Sequence, residues 1–254
     1  MRACCLGGLR RQLCCKLLLY AKEVNELTFS ENIQFYFIDN KRWQFILTGL
    51  ENTLIVSLFA VILGVVLGFL VAIVRSTHDK TGKFKILNVI CKLYLTVIRG
   101  TPVMVQLLIV YYVIFATYDP GKIIVAILAF GLNSGAYVAE IMRSGIMSID
   151  QGQFEAGRSL GFNYRQTMIY IIIPQAFKNV LPALANEFIV LLKETSISGY
   201  IGLMDLTRGG DIIRSQTYGA LFPLLAVALI YLVIVVFLTY LVGKLERRLR
   251  NSER

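Results

Sequence analysis

The sequence predicts an all-α protein that crosses a membrane several times, and three observations carry that prediction. Hydrophobic residues make up 56% of the 254, and the mean hydropathy of +0.65 is too high for a soluble domain with a polar surface. Uncharged stretches of membrane length recur along the chain, separated by short charged or turn-forming segments. Lysine and arginine gather in alternate connections between those stretches. The net charge of +10 therefore points to membrane-facing loops and anionic lipid, not to nucleic acid.

The elements follow in order. Residues 1–42 are of mixed composition and read as a leader outside the main fold, with Leu17 to Val24 as a short interfacial helix. The first firm span is Leu54 to Val74, twenty-one uncharged residues, enough for about 30 Å of hydrocarbon at about 1.5 Å per residue. Gly64 and Gly68 form a GxxxG on it, either a strip for close approach of another helix or two glycines of no consequence. A second apolar region runs from Ile86 to Tyr118, interrupted by Lys92 and Arg99, and Pro102 predicts a bend in one long helix. Asp119-Pro120-Gly121 makes a tight turn.

Span three runs from Ile123 to about Ser144, with Asn133, Tyr137, Glu140 and Ser144 spaced four, three and four apart on one face. Span four covers Gln166 to Leu192, bent at Pro174 and a candidate for a second bend at Pro182. Span five is Ala220 to Val242, ended by Gly243 and a basic tail at 247–254, so that 43–246 forms the membrane domain.

Basic residues orient the spans. Twelve lie in the connections after spans one and three and in the C-terminal tail, against four (Lys122, Lys193, Arg208, Arg214) on the alternate side. That bias places the loop after span three and the C-terminus in the cytoplasm, although the seven basic residues of the N-terminal tail then lie outside. Five cysteines, none in a CxxC, and one histidine give metal chemistry little material, and no cofactor is expected.

The stretch from Gln153 to Ala176 carries the sharpest motif. Asp150 can cap a helix with Glu155 in its first turn, Ala156 and Leu160 share a face four residues apart, and Gly161 can supply a left-handed ending. Glu155-Ala156-Gly157, Gly161, Ile171 and Pro174 resemble the cytoplasmic EAA loop of ABC-importer permeases, with Gly157 for the second alanine and Ile173 for the leucine before proline. From about Gly49 to Lys244 the chain is similar to permeases of polar amino acid ABC importers. The phrases that carry this are Arg99-Gly100-Thr101-Pro102, the run Ala129 to Tyr137 with Glu140, Lys193-Glu194-Thr195-Ser196, and Leu206-Thr207-Arg208.

The resemblance implies a type I importer core of five transmembrane helices in the cytoplasmic membrane. It also implies a second permease copy, a cytoplasmic ATPase dimer and an extracytoplasmic solute-binding protein. Glu155, Ala156, Gly157, Leu160 and Gly161 would form the coupling helix. No GxxxxGK[ST] phosphate loop occurs, so ATP hydrolysis falls to another chain and this one is not an enzyme.

Polar groups inside apolar spans are candidates for a solute pathway, namely Thr101, Asn133, Tyr137, Glu140 and Glu187. Each has a plainer reading as well: a turn hydroxyl, interhelical hydrogen bonds or an interface carboxylate. Competing functions are a permease for an opine or a sulfur compound, an ion-coupled secondary transporter and a non-transporting scaffold. Inverted repeats would mark the secondary transporter, and none is visible between the halves.

Overall fold

Uninterrupted helix-forming sequence sets the longest element. In the computed structural model, which describes residues 28–251, a short α1 (Phe29–Ile33) precedes α2 (Trp43–Thr81), a helix of 39 residues. At about 1.5 Å per residue, α2 is about 58 Å long, nearly twice a bilayer's hydrocarbon core, so it projects well beyond the expected span. No proline interrupts it, and it stops only where Gly82 turns left-handed (φ 65°) and donates its amide to the His78 carbonyl at 2.9 Å.

The second apolar region departs from expectation. Rather than one bent helix, α3 (Lys85–Gly100) and α4 (Val103–Ile109), with its continuation in a wide turn at Val110–Ile114, meet at 111°. Proline explains the break: Pro102 drives Thr101 into extended backbone (φ −122°, ψ 148°), so no helix can run through the pair. Neither half alone is long enough to cross a bilayer; taken as one broken segment, the pair has the length and composition of a span.

Asp119 accepts the Gly121 amide at 2.8 Å in the turn before α5 (Lys122–Met147), the centre of the bundle. Of α5's most apolar stretch, 61% is buried, against 11% for the last helix. Small residues make this possible. Cβ atoms on Gly64 and Gly68 of α2 would come within 2.8 Å of Ser134 and 2.6 Å of Val138, so the GxxxG is the seam between α2 and α5.

After α6 (Gln151–Ser159) and α7 (Tyr164–Thr167) the chain widens through Met168–Ile172 and enters α8 (Ile173–Glu194), which continues as a tighter 3₁₀ run, Thr195–Ile201. The widening falls just before Pro174, where a normal turn would crowd the proline ring. A surface helix α9 (Leu206–Thr217) leads to α10 (Leu221–Asn251). Gly243 does not end α10 as expected. One glycine costs a helix only about 1 kcal/mol, and the Lys, Leu, Glu and Arg residues that follow are strong helix formers.

Four helices are long and apolar enough to span, and the broken pair makes the fifth. The all-α, five-span fold class expected from sequence is the one observed. The described part of the leader packs on the fold. Tyr36, 2% exposed, stacks on Phe222 at 5.3 Å and joins Ile46, Leu206, Ile213 and Val227 in a core. The short helix expected at Leu17 to Val24 lies outside the described residues.

Candidate functional site

Two places gather the predicted residues. The first is α6. Asp150 caps it, accepting the Gly152 amide at 2.6 Å, and Gly161 follows with φ 81°, its amide bonded to the Arg158 carbonyl at 2.9 Å. Both ends form as expected from sequence. Glu155 falls in the second turn, not the first, so the helix dipole does little for it.

The two faces of α6 differ. Glu155, Ala156 and Leu160 are exposed, Leu160 to 72%. Phe154 and Gly157 face the bundle. Phe154 joins a small core of Ile149, Ile172 and Ala176, so α6 rests on the end of α5 and the start of α8 together. Gly157 packs on Thr167: a Cβ there would lie 2.7 Å from its Cγ2 and 2.8 Å from its Oγ1. This accounts for glycine where the resembling motif has alanine.

The second place is a groove of about 600 Å³ where α2, α3 and α5 meet, lined by Arg75, Lys92, Arg99, Tyr137 and Glu140 among others. Glu140 sits 3.4 Å from Arg99 and 3.6 Å from Arg143, and the Arg99 guanidinium lies 5.7 Å from the Tyr137 ring centre. The pairs are partly exposed, so they hold little energy and can exchange partners.

Thr101 and Asn133 have a different fate. Gln106, which sequence reasoning passed over, links them: its Nε2 donates to the Thr101 hydroxyl (2.8 Å) and to the Ile98 carbonyl (2.7 Å), while its Oε1 accepts from Asn133 (3.0 Å). The hydroxyl of Thr101 in turn donates to the Val97 carbonyl at 2.8 Å. These bonds satisfy carbonyls that α3 leaves open at its end, and so hold the 111° break. The available signal was a glutamine inside the apolar run Val103 to Ile109. Glu187 does not line the groove; it is half-buried between α8 and α5 and accepts from the buried Ser134 hydroxyl at 2.9 Å.

With this geometry in view, similarities to known proteins become specific. Residues 64–251 match the family described as binding-protein-dependent transport system inner membrane component. The arginine transport system permease protein ArtQ of Bacillus subtilis is 39% identical over 211 residues, covering 82% of this chain and 94% of that one. The glutamine transport system permease protein GlnP of Escherichia coli K12 is 35% identical, covering 81% and 93%. In three dimensions the chain superposes on the crystal structure of an amino acid ABC transporter with histidines, with a TM-score of 0.77 at 40% identity over 87% of this chain and 99% of that one. An inward-facing MetNI methionine ABC transporter matches at a TM-score of 0.65 and 21% identity over 84% and 98%, a likeness of fold alone. A family match over most of the chain, on a five-span helical bundle with a capped helix between α5 and α8, places this protein among the inner-membrane components of binding-protein-dependent transport systems.

Proposed function

We propose that this chain is the permease of an ATP-driven importer of polar amino acids, and that α6 is the helix through which a separate ATPase drives it. The observation that carries the reading is the two-faced α6. It is capped at both ends, exposes Ala156 and Leu160 outward, and rests inward on a core shared by α5 and α8. A push on that exposed face moves two spanning helices at once, which is what coupling to a bistable bundle requires. In this reading the loop of α6 and the C-terminus face the cytoplasm, as the distribution of lysine and arginine favours. A second permease, identical or homologous, completes the pathway, with an ATPase dimer below and a solute-binding protein outside.

Amino acids are the favoured solutes for two reasons. Relatives at 35–40% identity are named for glutamine and arginine transport. The groove between α3 and α5 offers Glu140 to an ammonium and Arg75, Lys92 and Arg99 to a carboxylate, the opposite partners a zwitterion needs. Tyr137 flanks them, Thr101 and Asn133 hold the wall through Gln106, and Glu187 acts from the other side of α5.

The test is uptake of a panel of labelled amino acids, opines and sulfur compounds, with Glu140→Gln beside wild type. We expect uptake of amino acids bearing polar side chains, reduced about tenfold or more by Glu140→Gln, the loss of one charge-assisted contact. Uptake confined to opines or sulfur compounds, or unchanged by the substitution, would overturn the assignment of solute or site respectively.

A further inference from the structure

A crevice of about 860 Å³ opens on the side of the bundle, between α2, the end of α5 and the chain from Tyr164 into α8. Its body is apolar. Phe69, Ile73, Ile169, Ile173 and Phe177 line it, each 46–57% exposed in the single chain, so an apolar surface lies open there. Its polar lining residues are Ser76, Thr77 and Lys83, at the end of α2 and just past it, with Tyr164 and Arg165 at the start of α7; no acidic residue lines it. Along α2 the lining runs from Val65 to Thr77, twelve residue steps or about 18 Å. Half of a bilayer's hydrocarbon core is about 15 Å. The crevice therefore has the length of one leaflet, an apolar body and a charged lining that is wholly basic.

We propose that this crevice binds one anionic phospholipid, with acyl chains against Phe69, Ile73 and Phe177 and the phosphate between Lys83 and Arg165. A helix of a second copy fits less well, because a chain of net charge +10 brings its own basic residues to a basic lining. Ile146, Met168 and Ala176 line the crevice and also belong to the core beneath α6, so the bound lipid braces the floor on which α6 rests.

The experiment titrates the purified full-length chain with phosphatidylglycerol or phosphatidylcholine of identical acyl chains and counts retained lipid by native mass spectrometry. Wild type retains phosphatidylglycerol about thirtyfold more strongly, the product of two basic side chains at a membrane surface. In the double variant Lys83→Gln, Arg165→Gln the two lipids are held alike. In Lys244→Gln, Arg247→Gln, which removes the same charge elsewhere, the preference survives. A photo-reactive residue at Ile169 of otherwise native protein, in vesicles of the two lipids, captures phosphatidylglycerol. Equal retention by wild type, equal loss in both double variants, or capture of a second copy at Ile169 would each overturn the proposal.

Discussion

At the scale of single residues, close contacts explain departures from pattern better than chemistry does. Gly157 stands where the resembling motif has alanine because Thr167 fills the space a methyl would need. Gly157→Ala should therefore lower the melting temperature of the purified protein, at an overpacking cost of about 1–3 kcal/mol. Adding Thr167→Ala should restore it, and a double variant no better than the single one would show that the contact is not the cause. Asp205 is a second such case. It caps α9 by accepting the Thr207 amide at 2.9 Å, yet it is 1% exposed, and burial pushes its carboxyl from 3.8 up to about 6.

The sign of the pH effect follows from that shift. Between pH 3.8 and about 6 the folded protein holds a proton that the unfolded chain has released, so stability from this group falls as pH rises through the window and is level above it. The slope is at most about 1.4 kcal/mol per pH unit for one proton. Asp205→Asn keeps a capping oxygen without the charge. Melting curves from pH 4 to 7 should show the wild type losing stability relative to this variant as pH rises to about 6. A constant difference across that range would contradict the assignment.

At the scale of elements, the sequence shows where helices lie better than how they are broken. Leu54 to Val74 and Ala220 to Val242 were legible as uncharged runs of membrane length, and Ile123 to Ser144 as an apolar run whose charges, Glu140 and Arg143, fall near its end. The ends of α6 were legible because Asp150 and Gly161 are specific for the geometry they adopt. The angle at Pro102 was not, because proline announces a bend without its size. The size comes from Gln106 and Asn133, which meet only once α4 is folded back beside α5.

Gln106→Leu, of similar volume, should strand the Ile98 carbonyl and the Asn133 amide. Each buried unpaired group costs about 1–3 kcal/mol, so the variant should melt earlier and expose the segment 101–115 to faster hydrogen exchange. Unchanged exchange there would mean that Pro102 alone sets the break. The groove was half-legible. Tyr137 and Glu140 are read from the α5 stripe, while Arg75 and Lys92 arrive from α2 and α3 by tertiary packing.

At the scale of the whole molecule, the fold joins a floor to a bundle. Below α5 and α8, α6 rests on Ile149, Ile172 and Ala176; above, the same two helices border the buried centre and hold Ser134 against Glu187. The central claim is that force on the outer face of α6 reaches the bundle through that floor. The most direct measurement compares ATPase co-purification and solute-stimulated ATP hydrolysis for Ala156→Glu, Gly161→Val and Arg158→Gln at matched membrane amounts. Ala156→Glu should lose both, by bulk and by a charge that must be desolvated in a partner's cleft. Gly161→Val should lose both through a left-handed backbone (φ 81°) that a β-branched residue resists. Arg158→Gln, lying off the Ala156–Leu160 face, should keep both. If Ala156→Glu retains the ATPase and full solute-stimulated hydrolysis, α6 is not the coupling helix of this protein.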